Sequence, residues 1–297
     1  VLFAGYSKLY ISQNRGDDWD SVYLSIPGYY IPANWAIATC PTVPGKIYCA
    51  GITSDELHSG IYKVTDITSY PFTATDISYG LFLSGQKITG IAVNPNNSND
   101  LYITIGGFTS DKKVFHSTNA GVNWDNITGS LPNLPVNCAV YFGDVIYIGT
   151  DIGVYVRDGS STDWTPFYNG LPRVPVTEMH HVVRDSIDYI EISTFGRGLW
   201  QSEIYEPCTA VLQVDAALQG QQFFQAGAIL NSTSVISGGR GTNVNFQAGS
   251  YIYLTPGFNA VSGTDFKAYL APCNSGVPLR PADPAATVPV KNELKKR

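Results

Sequence analysis

Three features of the sequence point to an all-β fold: its composition, a strand pattern that returns about every 45 residues, and a turn motif fixed at one place in that pattern. The 297 residues include 29 Gly, 19 Tyr and 18 Pro but one Met. Strands and turns use such residues, whereas long helices would draw on Ala, Leu, Glu and Lys. Charged residues make up 14% of the chain, below the roughly 25% of an average domain. Eighteen Lys and Arg stand against 24 Asp and Glu, a net charge of −6. With no basic footprint to neutralise phosphates, no nucleic acid is expected as a partner. No stretch approaches the ~20 apolar residues of a membrane span, so none is expected.

The strand pattern can be followed along the first two hundred residues. Five segments, at 2–12, 47–64, 101–117, 145–157 and 189–204, each hold an apolar β run, a short turn and a second run. Phe3, Tyr48, Tyr102 and Tyr147 mark the first four, 45, 54 and 45 residues apart. Further β-like runs precede the pairs, at 35–40, 88–93, 136–142 and 177–183, and shorter ones follow at 19–24, 124–129 and 164–170. Four short strands per unit is the sequence signature of a β-propeller. Residues 1–206 are therefore expected to form a partial or unusual β-propeller of four to five four-stranded blades.

Counting strands leaves the first unit without an innermost strand and the last without an outermost one. Propellers close to hide their edges, so upstream blades or a partner chain are expected to complete this one. A small ring closed by swapped terminal strands is the alternative. A chain starting at Val1, with no initiator Met and no signal-type segment, reads as processed or as a piece of something longer.

The turn between third and fourth strands carries the most specific motif. Ser12-Gln13-Asn14-Arg15-Gly16-Asp17-Asp18-Trp19 and Ser117-Thr118-Asn119-Ala120-Gly121-Val122-Asn123-Trp124 both fit Ser-x-Asn-x-Gly-x-x-Trp. The Asn side chain can bond nearby amides, Gly takes a positive φ, Ser adds a local bond and Trp packs between blades. The motif resembles the Asp-box, or bacterial neuraminidase repeat. Arg157–Trp164 occupies the equivalent place in degenerate form and keeps Trp164. The phrases IGTDIGVYVRD, NGLP and STFGRGLW resemble sortilin-like and xyloglucan-degrading Asp-box propellers over roughly residues 1–205. That resemblance implies structural roles for Ser12, Asn14, Gly16, Trp19, Ser117, Asn119, Gly121, Trp124 and Trp164. The acids Asp17, Asp18 and Asp158 are structural for the same reason, and the three Trp are expected in the core.

After residue 206 the pattern changes. Phe224-Gln225-Ala226-Gly227 recurs 22 residues later as Phe246-Gln247-Ala248-Gly249. Apolar couplets between regularly spaced glycines suit brief strands stacked in coils, so residues 207–274 should form a small β-solenoid-like module. The line NVNFQAGSYIYLTPGFNAVSGTDFKAYLAPC closely resembles the "coathanger stack" domain of secreted Bacteroidota proteins, a module that implies type IX secretion and a secreted or surface-attached protein. Residues 275–297 read as linker or tail. Cys208 and Cys273 bracket the module, which suggests a disulfide clamping its ends. Cys40 and Cys49 lie on successive strands of one blade, where a second bridge is geometrically open. Cys138 is left over as a buried thiol. Bridges imply an oxidising compartment, and no Cys/His cluster supports a metal site.

Propeller ligands usually meet the end built by second-to-third and fourth-to-first strand loops, opposite the Trp-motif turns. Tyr29, Tyr30, Asn34 and Arg197 fall on those loops. The aromatic phrase GYYIPANW offers ring faces for a sugar or an extended ligand. A glycosidase needs two carboxyls about 5–9.5 Å apart. Asp55, Asp111 and Asp151 are the candidates, with Glu56 beside them, but a few acids on polar loops are what chance provides. Arg173, Arg184 and Arg197 are too few for a sialidase. His180-His181 resembles a dyad, yet adjacent strand residues point to opposite faces. The leading expectation is therefore a secreted, non-catalytic recognition or display protein for glycan or a surface protein, needing no cofactor. The C-terminal part of a polysaccharide-degrading glycoside hydrolase, or a structural spacer, stands as the alternative.

Overall fold

The computed structural model describes residues 1–5, 8–22, 25–26, 29–30, 33–52, 59–65, 67, 71–81, 83, 85–159, 161–167, 170–205, 209–270 and 280–281. Among them every regular element is a strand. They fall into two compact units, one of Val1–Ile204 with a late strand from beyond Pro278, the other within Tyr205–Val277.

The first unit is a succession of five antiparallel blade sheets, a partial β-propeller, with a two-stranded ribbon between the first two. The first has three strands, Leu2–Gly5, Leu9–Ser12 and Asp20–Val22. The second is Ala33–Cys40, Val43–Ile52, Ser59–Thr65 and Thr73–Asp76. Ile88–Asn94, Asn97–Ile105, Val114–Ser117 and Asp125–Asn126 make the third. The fourth holds Val136–Phe142, Val145–Thr150, Gly153–Asp158 and Thr165–Pro166. In the fifth, Val176–Arg184, Ile187–Thr194 and Gly198–Glu203 are followed outermost by Arg280–Pro281. The outer strand that the repeat count leaves missing is thus supplied from the segment read as a tail. Innermost strands of the second to fifth blades neighbour one another in chain order.

The core is a set of layers between blades rather than one centre. Leu9, Ile11 and Val22 of the first blade meet Ile47, Cys49, Tyr62 and Val64 of the second. Tyr48, Ala50 and Ile61 meet Ile91, Leu101, Ile103 and Phe115 of the third. Tyr102 and Val114 in turn meet Ile146, Ile148, Tyr155 and Trp164 of the fourth. A strand flanked on both faces loses polar–apolar alternation, and Val145–Thr150 is buried at every position. Each such Ile, Leu or Val contributes about 1.5–3 kcal/mol on burial. Blades approach closely at glycines: a Cβ on Gly149 of the fourth blade would lie 2.7 Å from Val176 Cγ1 of the fifth.

The two Trp-motif turns carry the same bonds. Ser12 Oγ donates to Asn14 Oδ1 (3.0 Å) and accepts from the Gly16 amide (2.7 Å), while Asn14 Oδ1 accepts from the Asp18 amide (2.9 Å). Ser117, Asn119, Gly121 and Asn123 repeat this at 3.0, 2.8 and 2.9 Å. Gly16 and Gly121 take φ of +101° and +82°, the left-handed region that favours glycine.

The Trp side chains differ. Trp124 Nε1 donates to Ile77 O and Trp164 Nε1 to Ile127 O, both at 2.8 Å and both to the residue just past the preceding blade's fourth strand. Trp19 departs from the expected core position. It is 42% exposed and donates to Gly16 O of its own turn (3.0 Å), with no preceding blade among the described residues to receive it.

Two cysteines differ from expectation. Cys40 and Cys49 are buried free thiols rather than a bridge, while Cys138 is the buried thiol expected of it. Cys49 pairs with Ile37, three residues from Cys40. Cys49 packs in the layer towards the first blade and Cys40 in the layer towards the third. Sulfurs on opposite faces of a sheet cannot bridge. Burial raises the Cys49 and Cys138 pKa values to about 12. Cys208 and Cys273 lie outside the described residues.

The second unit is a small parallel solenoid. Val211–Val214, Ile229–Ser232 and Tyr251–Leu254 form one parallel column, and Gln221–Ala226, Asn243–Ala248 and Asp265–Leu270 another. Val235–Ile236 pairs with Asn259–Ala260 in a third. The sequence repeat is the coil: Phe224 sits beside Phe246, and Ala226 beside Ala248. Phe246 is fully buried, its ring 5.6 Å from that of Phe224 and 5.2 Å from that of Phe266.

Candidate functional site

Strand direction gives each blade two ends. Second-to-third turns and the connections between blades lie at one, here the loop end; the Trp-motif turns and the first-to-second hairpins lie at the other. At the loop end the third blade projects residues 106–113. Lys113 is fully buried beneath it, with Nζ donating to Gly107 O at 2.7 Å. Burial lowers the pKa of that ammonium. Asn126 Nδ2 donates to Asp111 O (2.6 Å), and Asp111 holds a left-handed φ of +57°. Pinned in this way, the loop presents Phe108 at 67% exposure.

The matching turn of the fifth blade is Thr194–Gly198. Phe195 is 75% exposed there and its amide donates to Pro175 O (2.9 Å). Arg197 is exposed, and its carbonyl accepts from Trp200 Nε1 (2.9 Å). Tyr79, in the connection between the second and third blades, is 89% exposed. The loop end therefore offers three wet aromatic side chains from three separate segments.

Asp151 sits in the fourth blade's turn, but its carboxylate is engaged. Asn137 Nδ2 donates both to Asp151 Oδ1 (3.0 Å) and to Val176 O of the fifth blade (3.1 Å). Asn137 is itself the extra residue of a β-bulge between Val136 and Cys138. The same bulge occurs in each other inner strand, between Asn34 and Ala36, Ile88 and Gly90, and Val176 and Glu178. A bulge re-aims the inserted side chain. Thr89 Oγ1 thereby reaches Val136 O (2.5 Å), as Asn137 reaches Val176 O. Thr177, the equivalent in the fifth blade, is exposed and bonds Ser193 Oγ at 2.8 Å. These polar clamps were missed from sequence, although a polar residue returns at 89, 137 and 177 after an apolar one.

Of the other predicted residues, the Tyr29–Tyr30 backbone forms a ribbon with Ser25–Ile26 in the connection between the first two blades. Asn34 lies near the start of the second blade's inner strand, beside its bulge. The side chains of these three residues, and Asp55 entirely, lie outside the described residues. Phe108, Phe195 and Tyr79 were not singled out from sequence.

The opposite end holds two His–Asp pairs. His116 Nε2 lies 2.7 Å from Asp100 Oδ1, and Asn94 Nδ2 donates to Asp100 Oδ2 (2.9 Å). Burial alone would raise the Asp100 pKa, but the hydrogen bonds from His116 and Asn94 outweigh it and leave the carboxyl below its ordinary value. The His116 ring stacks on Tyr102 (4.1 Å between centroids). His181 pairs with Asp188 at 2.7 Å and stacks on Phe142 of the fourth blade, while His180 is exposed. Both pairs serve packing between strands and blades. Among the described residues no three His, Cys, Asp or Glu side chains gather to hold a metal ion, and no helix is long and apolar enough to cross a membrane.

No family model matches the chain, and no curated protein matches it in sequence. Among solved structures it is similar to the GH74 xyloglucanase from Xanthomonas campestris, with a TM-score of 0.50 at 18% identity over 67% of this chain and 34% of that one. An ancestral GH74 enzyme gives the same TM-score and identity over 67% of this chain and 28% of that one. The chain thus spans about a third of the length of these structures. At this identity the likeness shows a shared propeller fold alone.

Proposed function

We propose that this chain is a non-catalytic recognition module of a secreted or cell-surface protein, binding glycan or a surface protein through the loop end of its blades. The observation that carries this reading is the presentation there of Phe108, Phe195 and Tyr79 on anchored backbone. Exposed aromatic faces stack on sugar rings or enter partner pockets. Asp151, a candidate for hydrolysis, is tied by Asn137 into a bridge between blades, which supports a structural role for it. The Asp-box turns lie at the far end and take no part. The solenoid unit, with its resemblance to coathanger-stack modules, supports type IX secretion and surface attachment.

The fold likeness to the GH74 enzymes favours a second reading, the C-terminal part of a polysaccharide-degrading hydrolase. A glycan array combined with reducing-sugar release on plant and bacterial polysaccharides separates the two. The expected result is binding without sugar release, weakened about tenfold or more by Phe108→Ser or Phe195→Ser, as for a lost interface anchor. Sugar release abolished by Asp111→Ala or Asp151→Ala, with the melting temperature unchanged, would establish the hydrolase instead.

A further inference from the structure

The first blade differs from the others in three ways that concern one face. Its innermost strand is missing: Leu2–Gly5 pairs with Leu9–Ser12 on one side, and among the described residues no strand pairs with its other edge. The corresponding second strands of the third and fourth blades are buried along most or all of their length, whereas Leu2, Ala4 and Gly5 are exposed. Trp19 lacks the acceptor that Trp124 and Trp164 find on the preceding blade. The turn glycine shows the same contrast. A Cβ on Gly121 would meet Ile77 of the preceding blade at 2.5 Å, whereas one on Gly16 would meet only Leu2 and Trp19 of its own sheet, at 3.6 Å and beyond.

We infer that this face is a docking surface for polypeptide lying immediately upstream of Val1. That polypeptide supplies the innermost strand of the first blade and, before it, a further blade whose fourth strand receives the Trp19 indole. The repeating connection identifies the occupant. In the second to fifth blades the innermost strand precedes the second by two linking residues: Cys40 to Val43, Asn94 to Asn97, Phe142 to Val145 and Arg184 to Ile187. A strand joined in that way pairs antiparallel with Leu2–Gly5 and covers Leu2. The carbonyl following the upstream blade's outer strand then replaces Gly16 O as acceptor for Trp19, as Ile77 O and Ile127 O do for the later Trp. An open edge of unpaired amides and carbonyls is the ordinary substrate for such strand addition.

The test has two arms. In the 297-residue chain, Trp124→Phe and Trp164→Phe each remove a bond between blades and are expected to lower the melting temperature by about 2–4 °C. Trp19→Phe is expected to leave it unchanged. An equal loss for all three would overturn the inference. The second arm uses a polypeptide that carries the residues encoded upstream of Val1, and the absence of any such residues would overturn the inference. There the amides of Leu2–Gly5 are expected to exchange about a hundredfold more slowly or better, and Trp19→Phe to lower the melting temperature as the other two do. Exchange at Leu2–Gly5 that is the same in both polypeptides would overturn it.

Discussion

Single side chains in this protein act by choosing which blade they bond to. The three Trp occupy the same motif position, and nothing in the motif distinguishes Trp19 from Trp124; the neighbour decides whether the indole is a clamp or a wet surface. The placement of Cys40 and Cys49 was unreadable for a related reason. Register shifts between Asn34 and Ala36 and between Thr39 and Cys40 change which residues share a face, and each shift is invisible in a list of alternating residues. The loop-end aromatics were visible as letters, but exposure depends on the surrounding loops, so Phe108 was not singled out. Asp100 allows a test by pH. Its folded-state pKa lies below the ordinary carboxylate value, so it stabilises the fold above its unfolded value of about 4 and loses that contribution as pH falls towards the folded one. Denaturation curves between about pH 6 and pH 3 should fall less steeply for Asp100→Asn than for the parent chain. A parallel fall would remove Asp100 from the acid response.

Strands and coils were the most readable level. Apolar runs of fixed order marked the blades, and the Phe-Gln-Ala-Gly repeat marked the coil, because both units bury the same positions each time. The outer strand of the fifth blade was not readable. Arg280–Pro281 is two residues long and follows the entire solenoid, so no local pattern announces it. The solenoid core converges on Phe246, in ring contact with Phe224, Phe258 and Phe266. Phe246→Ala should cost about 3–5 kcal/mol. Hydrogen exchange should show that loss across residues 211–270 and leave the strands of the third and fourth blades protected. Equal loss of protection in those blades would mean that the two units fold as one.

At the scale of the whole unit, interleaved apolar layers and two sets of clamps fix successive blades to one another. The loops of one end carry Phe108, Phe195 and Arg197, while the opposite end is occupied by self-bonded turns and His–Asp pairs. Hydrogen exchange on the chain with and without a bound polysaccharide or surface protein tests this division. Protection is expected at residues 106–112, 151–152 and 194–198, with residues 13–18 and 118–123 unchanged. Protection of the two Trp-motif turns, with the loops unaffected, would contradict it.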